Sequence, residues 1–139
     1  ALNLRMLENE SVRLERNGRR FRILGLADFW ERTPDARTPL RGVPEAEPVV
    51  AHVHEPDVFP ELTDRIALTL AGHTHGGQVR LPFLGAPVVP SRFGQRYARG
   101  VVVEGKKTLF VTTGVGTSIW PVRFGVPPEY ALLTVRSSP

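Results

Sequence analysis

Ile66-Ala67-Leu68-Thr69-Leu70-Ala71-Gly72-His73-Thr74-His75-Gly76-Gly77-Gln78 is the stretch that decides how this chain is read. Its first six residues form a largely apolar run of strand length, which predicts a buried β-strand over 66–71. The flanking glycines permit a tight turn and a close backbone approach to a ligand. Strand ends that spill into glycine-rich loops are common sites of chemistry. Imidazole is the commonest protein metal ligand and the usual acid or base near neutral pH. All four histidines fall between His52 and His75, as the pairs His52-Val53-His54 and His73-Thr74-His75. Such clustering points to a metal.

Working outward, the 139 residues fit one unit, residues 1–139, large enough to bury a core. Hydrophobic residues at 41% and charged residues at 23% are globular values. Cysteine is absent, which excludes disulfides and thiolate metal sites. A metal must then be held by nitrogen and oxygen, which suits Zn, Mn, Fe or Ni. No apolar run reaches the ~18–20 residues that cross a bilayer, and no signal-peptide pattern is visible. The chain opens on Ala1-Leu2-Asn3 inside a strand-like pattern, so a missing N-terminal part is expected.

The net charge of +4 is unevenly spread. Residues 1–64 carry nine Arg against twelve acids, whereas residues 65–139 carry nine Arg or Lys against only Glu104 and Glu129. The basic excess shares a half with the Gly-His-Thr-His turn and favours an anionic ligand, such as a phosphate, an anionic lipid or nucleic acid. Arg outnumbers Lys sixteen to two, a codon preference that does not explain the crowding into one half.

Along the chain, strands are predicted at Leu4–Leu7, Val12–Glu15 and Phe21–Leu26, with Asn17-Gly18 as a two-residue hairpin signal. Residues 31–47 read as a loop with one helical turn. Pro48–His54 reads as the next strand, and Pro56 opens a short helix through Phe59 and Leu62. After the histidine turn, residues 80–99 form a long ordered loop, a feature uncommon unless it has a function. A hairpin around Glu104-Gly105-Lys106 joins strands over 100–104 and 107–112. Residues 114–128 are broken by Gly and Pro, and Glu129–Val135 reads as a last strand. The pattern is strand-dominated.

If the strands ending at His54 and His73 are adjacent and parallel, their C-terminal ends share one edge. Two or three imidazoles then converge on a metal at ~2.0–2.2 Å. The carboxylates are harder to place. Asp28, Glu55, Asp57 and Asp64 are the candidates, but Glu55 and Asp57 read as caps of the turn at Pro56, and Asp64 as another turn cap. His52 divides evenly between a ligand and a satisfied surface or core residue. The sequence supplies imidazoles without enough carboxylates for a two-metal centre.

Gly72-His73-Thr74-His75-Gly76-Gly77-Gln78, preceded by His54-Glu55-Pro56-Asp57, resembles the C-terminal half of calcineurin-like metallophosphoesterases. Pro90-Ser91-Arg92-Phe93-Gly94, Gly114-Val115-Gly116-Thr117-Ser118 and Pro121–Glu129 resemble that superfamily's bacterial phosphodiesterase branch, often associated with membrane or cell wall. The resemblance implies an α+β fold, a four-layer αββα sandwich of which this chain is the strand-rich C-terminal half. It implies a dinuclear site cleaving phosphate esters through a metal-activated hydroxide. His54 and His73 would ligate one metal and His75 the other. The family's Asp-x-His, Gly-Asp-x-x-Asp and Gly-Asn-His-Glu motifs do not occur here, so the chain is expected to be a fragment with an incomplete site, inactive alone. No catalytic residue is assigned, and the family gives His52 no role.

Arg92, Arg96 and Arg123 are the candidates for substrate phosphate, with Arg80 and Arg99 nearby, because guanidinium forks match phosphate bidentately. Phe83, Leu84, Val88 and Val89 beside them would meet a membrane interface or cover the sheet. Nucleic acid is not expected, since Phe93 and Tyr97 are too few for a stacking platform. The expected function is hydrolysis of a phosphodiester or pyrophosphate, lipid-linked or in the cell envelope. A non-catalytic metal-binding module and a basic peripheral membrane-binding domain are the alternatives. Exposed strand edges make self-association of the fragment a further expectation.

Overall fold

The computed structural model describes residues 4–136. Their core is one mixed six-stranded sheet: β1 (Glu10–Arg16), β2 (Arg19–Gly25), β3 (Val49–His52), β4 (Ile66–Ala71), β5 (Gly100–Glu104) and β6 (Lys107–Val111). The order across the sheet is β1-β2-β3-β4-β6-β5. The inner strands β2, β3, β4 and β6 run parallel, and antiparallel hairpins close both edges. Single 3-10 turns at Thr38–Leu40, Pro56–Glu61, His75–Gly77 and Gly94–Tyr97 supply the helical content among the described residues. None of these is long and apolar enough to cross a membrane.

The two hairpins follow directly from their turn residues. Asn17 and Gly18 take φ of 52° and 72°, the paired positive values of a type I′ turn, and bring Arg16 opposite Arg19. Gly105 at φ 60° turns the chain between Glu104 and Lys107, which pair across the other hairpin. β4 forms at the predicted residues. It is buried on one face only, with Ala67 exposed and Leu68 and Leu70 half-buried.

That asymmetry runs across the sheet. Leu24, Ala51, Thr69, Leu109 and Val102 lie in register as one row. The first four are fully buried beneath the turns carrying Leu40, Val58, Phe59 and Tyr97. The opposite row of Ile23, Val50, Leu68, Thr108 and Val103 is also largely apolar but only half-buried or exposed. One sheet with one covered face is what the described residues form.

Two predicted strands do not form. Leu4–Leu7 stays outside the sheet because Asn9 turns the chain at φ 53°. Its Oδ1 accepts from Ala27 N (3.0 Å) and Asp35 N (2.8 Å), and Leu7 folds back onto Gly25, where no Cβ would fit. Glu129–Val135 keeps its alternating pattern but no ladder. Glu129 N donates to Gly114 O (3.0 Å) and its carboxylate accepts from Thr113 N (3.0 Å); beyond it Tyr130 and Leu132 are exposed.

Candidate metal centre

The parallel pairing of β3 with β4 puts their C-terminal ends on one rim, where ligands of open α/β sheets usually bind. Val53 N donates to Leu70 O and Gly72 N to His54 O, both at 3.0 Å, so the pairing continues just past the strands. This holds the His54 and His73 rings edge to face, centroids 5.0 Å apart. The backbone then leaves strand geometry, with φ of 66° at His73, 50° at His75, 63° at Gly76, 80° at Gly77 and 55° at Gln78. Positive φ at three non-glycine residues in one turn is costly and is typical of strained functional loops.

Thr74, between the two histidines, is the anchor of this turn. Its buried hydroxyl donates to Ala98 O (2.7 Å) and accepts from Gly76 N (3.5 Å). At Gly76 an added Cβ would lie 2.8 Å from Val126 Cγ1 and 2.9 Å from Thr113 Cγ2, so the turn tolerates no side chain there. Arg123 braces the same loops, donating to Thr113 O (2.7 Å), Gly116 O (2.9 Å) and Val126 O (3.4 Å).

Glu55 completes the group. One ligand atom each from His54, Glu55 and His73 lies within 4.8 Å of the others. Expected as a turn cap, Glu55 stands at the N-terminus of the Pro56–Glu61 turn without capping it through its side chain. Its side chain instead points to the loop after β2, where Oε2 accepts from Phe29 N (3.1 Å). Only 2% of Glu55 is exposed, yet its Oε1 has no hydrogen-bond partner, and neither does the buried Nε2 of His73. A buried carboxylate oxygen and a buried imidazole nitrogen both left unpaired are costly unless a cation takes them. Ligand atoms ~2.1 Å from a shared ion lie at most ~4.2 Å apart, so a small side-chain adjustment suffices. The residues fit a divalent ion held by two nitrogens and one oxygen.

Asp28 lies beside this group. The backbone N–H of Trp30 (2.8 Å), followed by that of Glu31 (3.2 Å) and contacts with Glu55 and His54, holds its carboxyl below the usual range against a desolvation that pushes it up. Asp57, the other carboxylate weighed, is spent on the 91–92 loop: it accepts from Ser91 Oγ (2.5 Å) and Arg92 N (2.7 Å). His75 stands outside the His54–Glu55–His73 group and turns its Nδ1 to Gln78 Oε1 at 3.1 Å. His52, on the open face of β3, lies outside it too.

The three phosphate-binding candidates have protein partners. Arg92 lies 3.6 Å from both Asp57 and Glu61, with its guanidinium over Phe29 at 4.9 Å from the ring centroid. Arg96 pairs with Glu104 at 2.6 Å, and Arg123 is committed to the carbonyls named above. Glu55, a carboxylate candidate that the sequence reads as a turn cap, is the member of this group that sequence reasoning set aside. The one signal for it was its place directly after His54.

The chain is 34% identical over 123 residues to the metallophosphoesterase YkuE of Bacillus subtilis (strain 168), covering 88% of this chain and 43% of that protein. It is 32% identical over 132 residues to the phosphodiesterase YaeI of Escherichia coli (strain K12), covering 92% and 46%. A metallophosphoesterase of Helicobacter pylori (strain ATCC 700392 / 26695) is 31% identical over 140 residues, covering 95% and 35%. The chain therefore spans about half or less of the length of these relatives. No protein-family model matches it, and no solved structure matches it significantly. The histidine-bearing strand ends sit in a sequence that, across the matched residues, is similar to proteins named metallophosphoesterase or phosphodiesterase, which supports that superfamily.

Proposed function

We propose that this chain is the metal-holding C-terminal half of a phosphodiester- or pyrophosphate-cleaving hydrolase. In this reading the N-terminal half lies outside residues 1–139, and its sheet covers the open face to give a four-layer αββα sandwich. The observation that carries the proposal is the pair of buried, unpartnered ligand atoms, Glu55 Oε1 and His73 Nε2, beside His54. The names of the relatives support phosphoesterase chemistry.

His54, Glu55 and His73 would hold one divalent ion, and His75 would be a ligand of a second. Such ions, when bound, polarise a phosphoryl oxygen and lower the pKa of water. The chain's own residues provide the frame. Phe29 N–H orients Glu55, Thr74 fixes the turn between the histidines, and the roughly half-exposed Arg92, stacked over Phe29, keeps a positive rim for an anionic ester, whereas Arg96 is paired with Glu104 towards the opposite end of the sheet. Arg123 contributes to that rim while it braces the loops beneath. The fully exposed Phe83 and the exposed Leu84 and Val88, beside Arg80, support a lipid-linked or cell-envelope substrate met at a membrane surface.

The test is titration of the 139-residue chain with Mn²⁺ and Zn²⁺. Binding is expected, and His73→Ala and Glu55→Ala should each weaken it at least ~10-fold. His52→Ala should leave it unchanged. Equal affinity in the wild-type, His73→Ala and Glu55→Ala chains would remove the proposal. For activity, the polypeptide carrying both halves should release nitrophenol from bis(p-nitrophenyl) phosphate with Mn²⁺, and lose that activity on His73→Ala.

A further inference from the structure

Gln78 is the last residue of the histidine turn, and its carboxamide is held from the far side by a loop 40 residues away. Ser118 N donates to Gln78 Oε1, while Gln78 Nε2 donates to Ser118 O at 3.0 Å and to Trp120 O at 3.4 Å. A backbone N–H can only donate, and a carbonyl oxygen can only accept. The amide therefore has one orientation, with Oε1 as the acceptor end. That same Oε1 lies 3.1 Å from His75 Nδ1. Since Oε1 has no proton to give, the hydrogen bond exists only if His75 carries hydrogen on Nδ1. In the neutral ring, Nε2 is then the nitrogen with the free lone pair.

We infer that Gln78 is a positioning residue that locks His75 in the Nδ1–H tautomer and leaves Nε2 to coordinate a divalent ion. The inference rests on the metal reading above for its purpose, but not for its geometry. The lock is set by the 118–120 backbone, which lies outside the histidine motif. Its backbone hold is firm: Gln78 N donates to His75 O at 3.0 Å, and Gln78 O accepts from Phe124 N at 2.8 Å. Hydrogen bonds to the remote nitrogen of a ligating histidine orient the ring and strengthen the ligand. Gln78 does this with a neutral amide, so His75 gains orientation without gaining a charged neighbour.

The experiment is long-range ¹H–¹⁵N correlation spectroscopy on the metal-free, histidine-labelled chain at about pH 8.5, well above the usual histidine range. Wild-type His75 is expected as the Nδ1–H form, a result that needs no variant. Gln78→Leu should move it to the Nε2–H form that free imidazole side chains favour in water. Gln78→Glu, whose carboxylate still accepts from Nδ1, should restore the Nδ1–H form. Zn²⁺ affinity should fall about 10-fold or more in Gln78→Leu. An Nε2–H ring in the wild type, or an unchanged tautomer in a folded Gln78→Leu chain, would overturn the inference. An Nδ1–H ring in a wild-type chain that binds no divalent ion would instead refute the metal reading and leave the tautomer assignment standing.

Discussion

Tyr97 shows how one side chain ties the long loop to the sheet. It is fully buried, edge-on to Phe59 (centroids 5.9 Å apart) and tilted against Phe93 (4.9 Å). Its hydroxyl donates to Glu104 Oε1 at 2.8 Å, the oxygen that also pairs with Arg96. Burial, followed by the Glu104 carboxylate, pushes the Tyr97 pKa up to about 12. The folded state thus prefers the neutral phenol more strongly than the unfolded chain does, whose Tyr titrates near ~10. The resulting stabilisation is complete below about pH 10 and is lost as pH rises through the folded value. Tyr97→Phe should cost about 1 kcal/mol at neutral pH through the lost hydrogen bond. It should also flatten the decline of the urea midpoint between about pH 10 and 12. A decline equally steep in both proteins would show that Tyr97 is not the group responsible.

At the scale of elements, Lys107 does for the Pro56–Glu61 turn what Tyr97 does for the loop. It opens β6, is largely buried, and donates to Phe59 O (3.1 Å), Pro60 O (3.2 Å) and Leu62 O (2.7 Å). These carbonyls end a turn whose first residue follows Glu55, so the ammonium group steadies the carboxylate's base. Lys107→Met keeps the apolar stem but strands the carbonyls, and should cost on the order of 2–3 kcal/mol. The urea midpoint measures the loss, and faster amide exchange over residues 55–62 should accompany it. Such contacts also mark what could be read in advance. Asn17-Gly18 and Gly105 announced both hairpins, and the apolar run over 66–71 announced β4, because turn chemistry and patterning are local. The strand ends carrying His54 and His73 were legible for the same reason, although His52 and His75, the other members of the two pairs, stand outside the group. Glu55 was not, because its direction depends on Phe29 N–H from another strand's loop, and Arg92 was not, because Asp57 and Glu61 meet it only in the fold. Leu4–Leu7 and Glu129–Val135 alternate like strands, but alternation gives no strand a neighbour to pair with.

For the whole molecule, the governing fact is a mainly parallel sheet whose second apolar face is only partly covered by the described residues. Parallel strands are normally covered on both faces and read as continuous apolar runs, as β4 does here. Val50, Leu68, Leu70 and Phe110 stand half-buried on that face, with Val101 and Val103 exposed beside them. Isolated in water, the 139-residue chain should hide this face against a second copy, since a contact burying about 800 Å² per partner is enough for a stable pair. Sedimentation equilibrium should therefore show concentration-dependent association, and an apolar fluorescent dye should bind the dilute chain. Phe110→Lys, which places a charge on this face, should weaken association at least tenfold. Salt separates this cause from the basic excess of residues 65–139. Association through the open face should persist or strengthen at about 1 M NaCl, where charge attractions are screened to about 3 Å. A chain that stays monomeric and leaves the dye unbound would mean that the face is covered from within, and the second sheet of the proposed sandwich would then have no surface on which to dock.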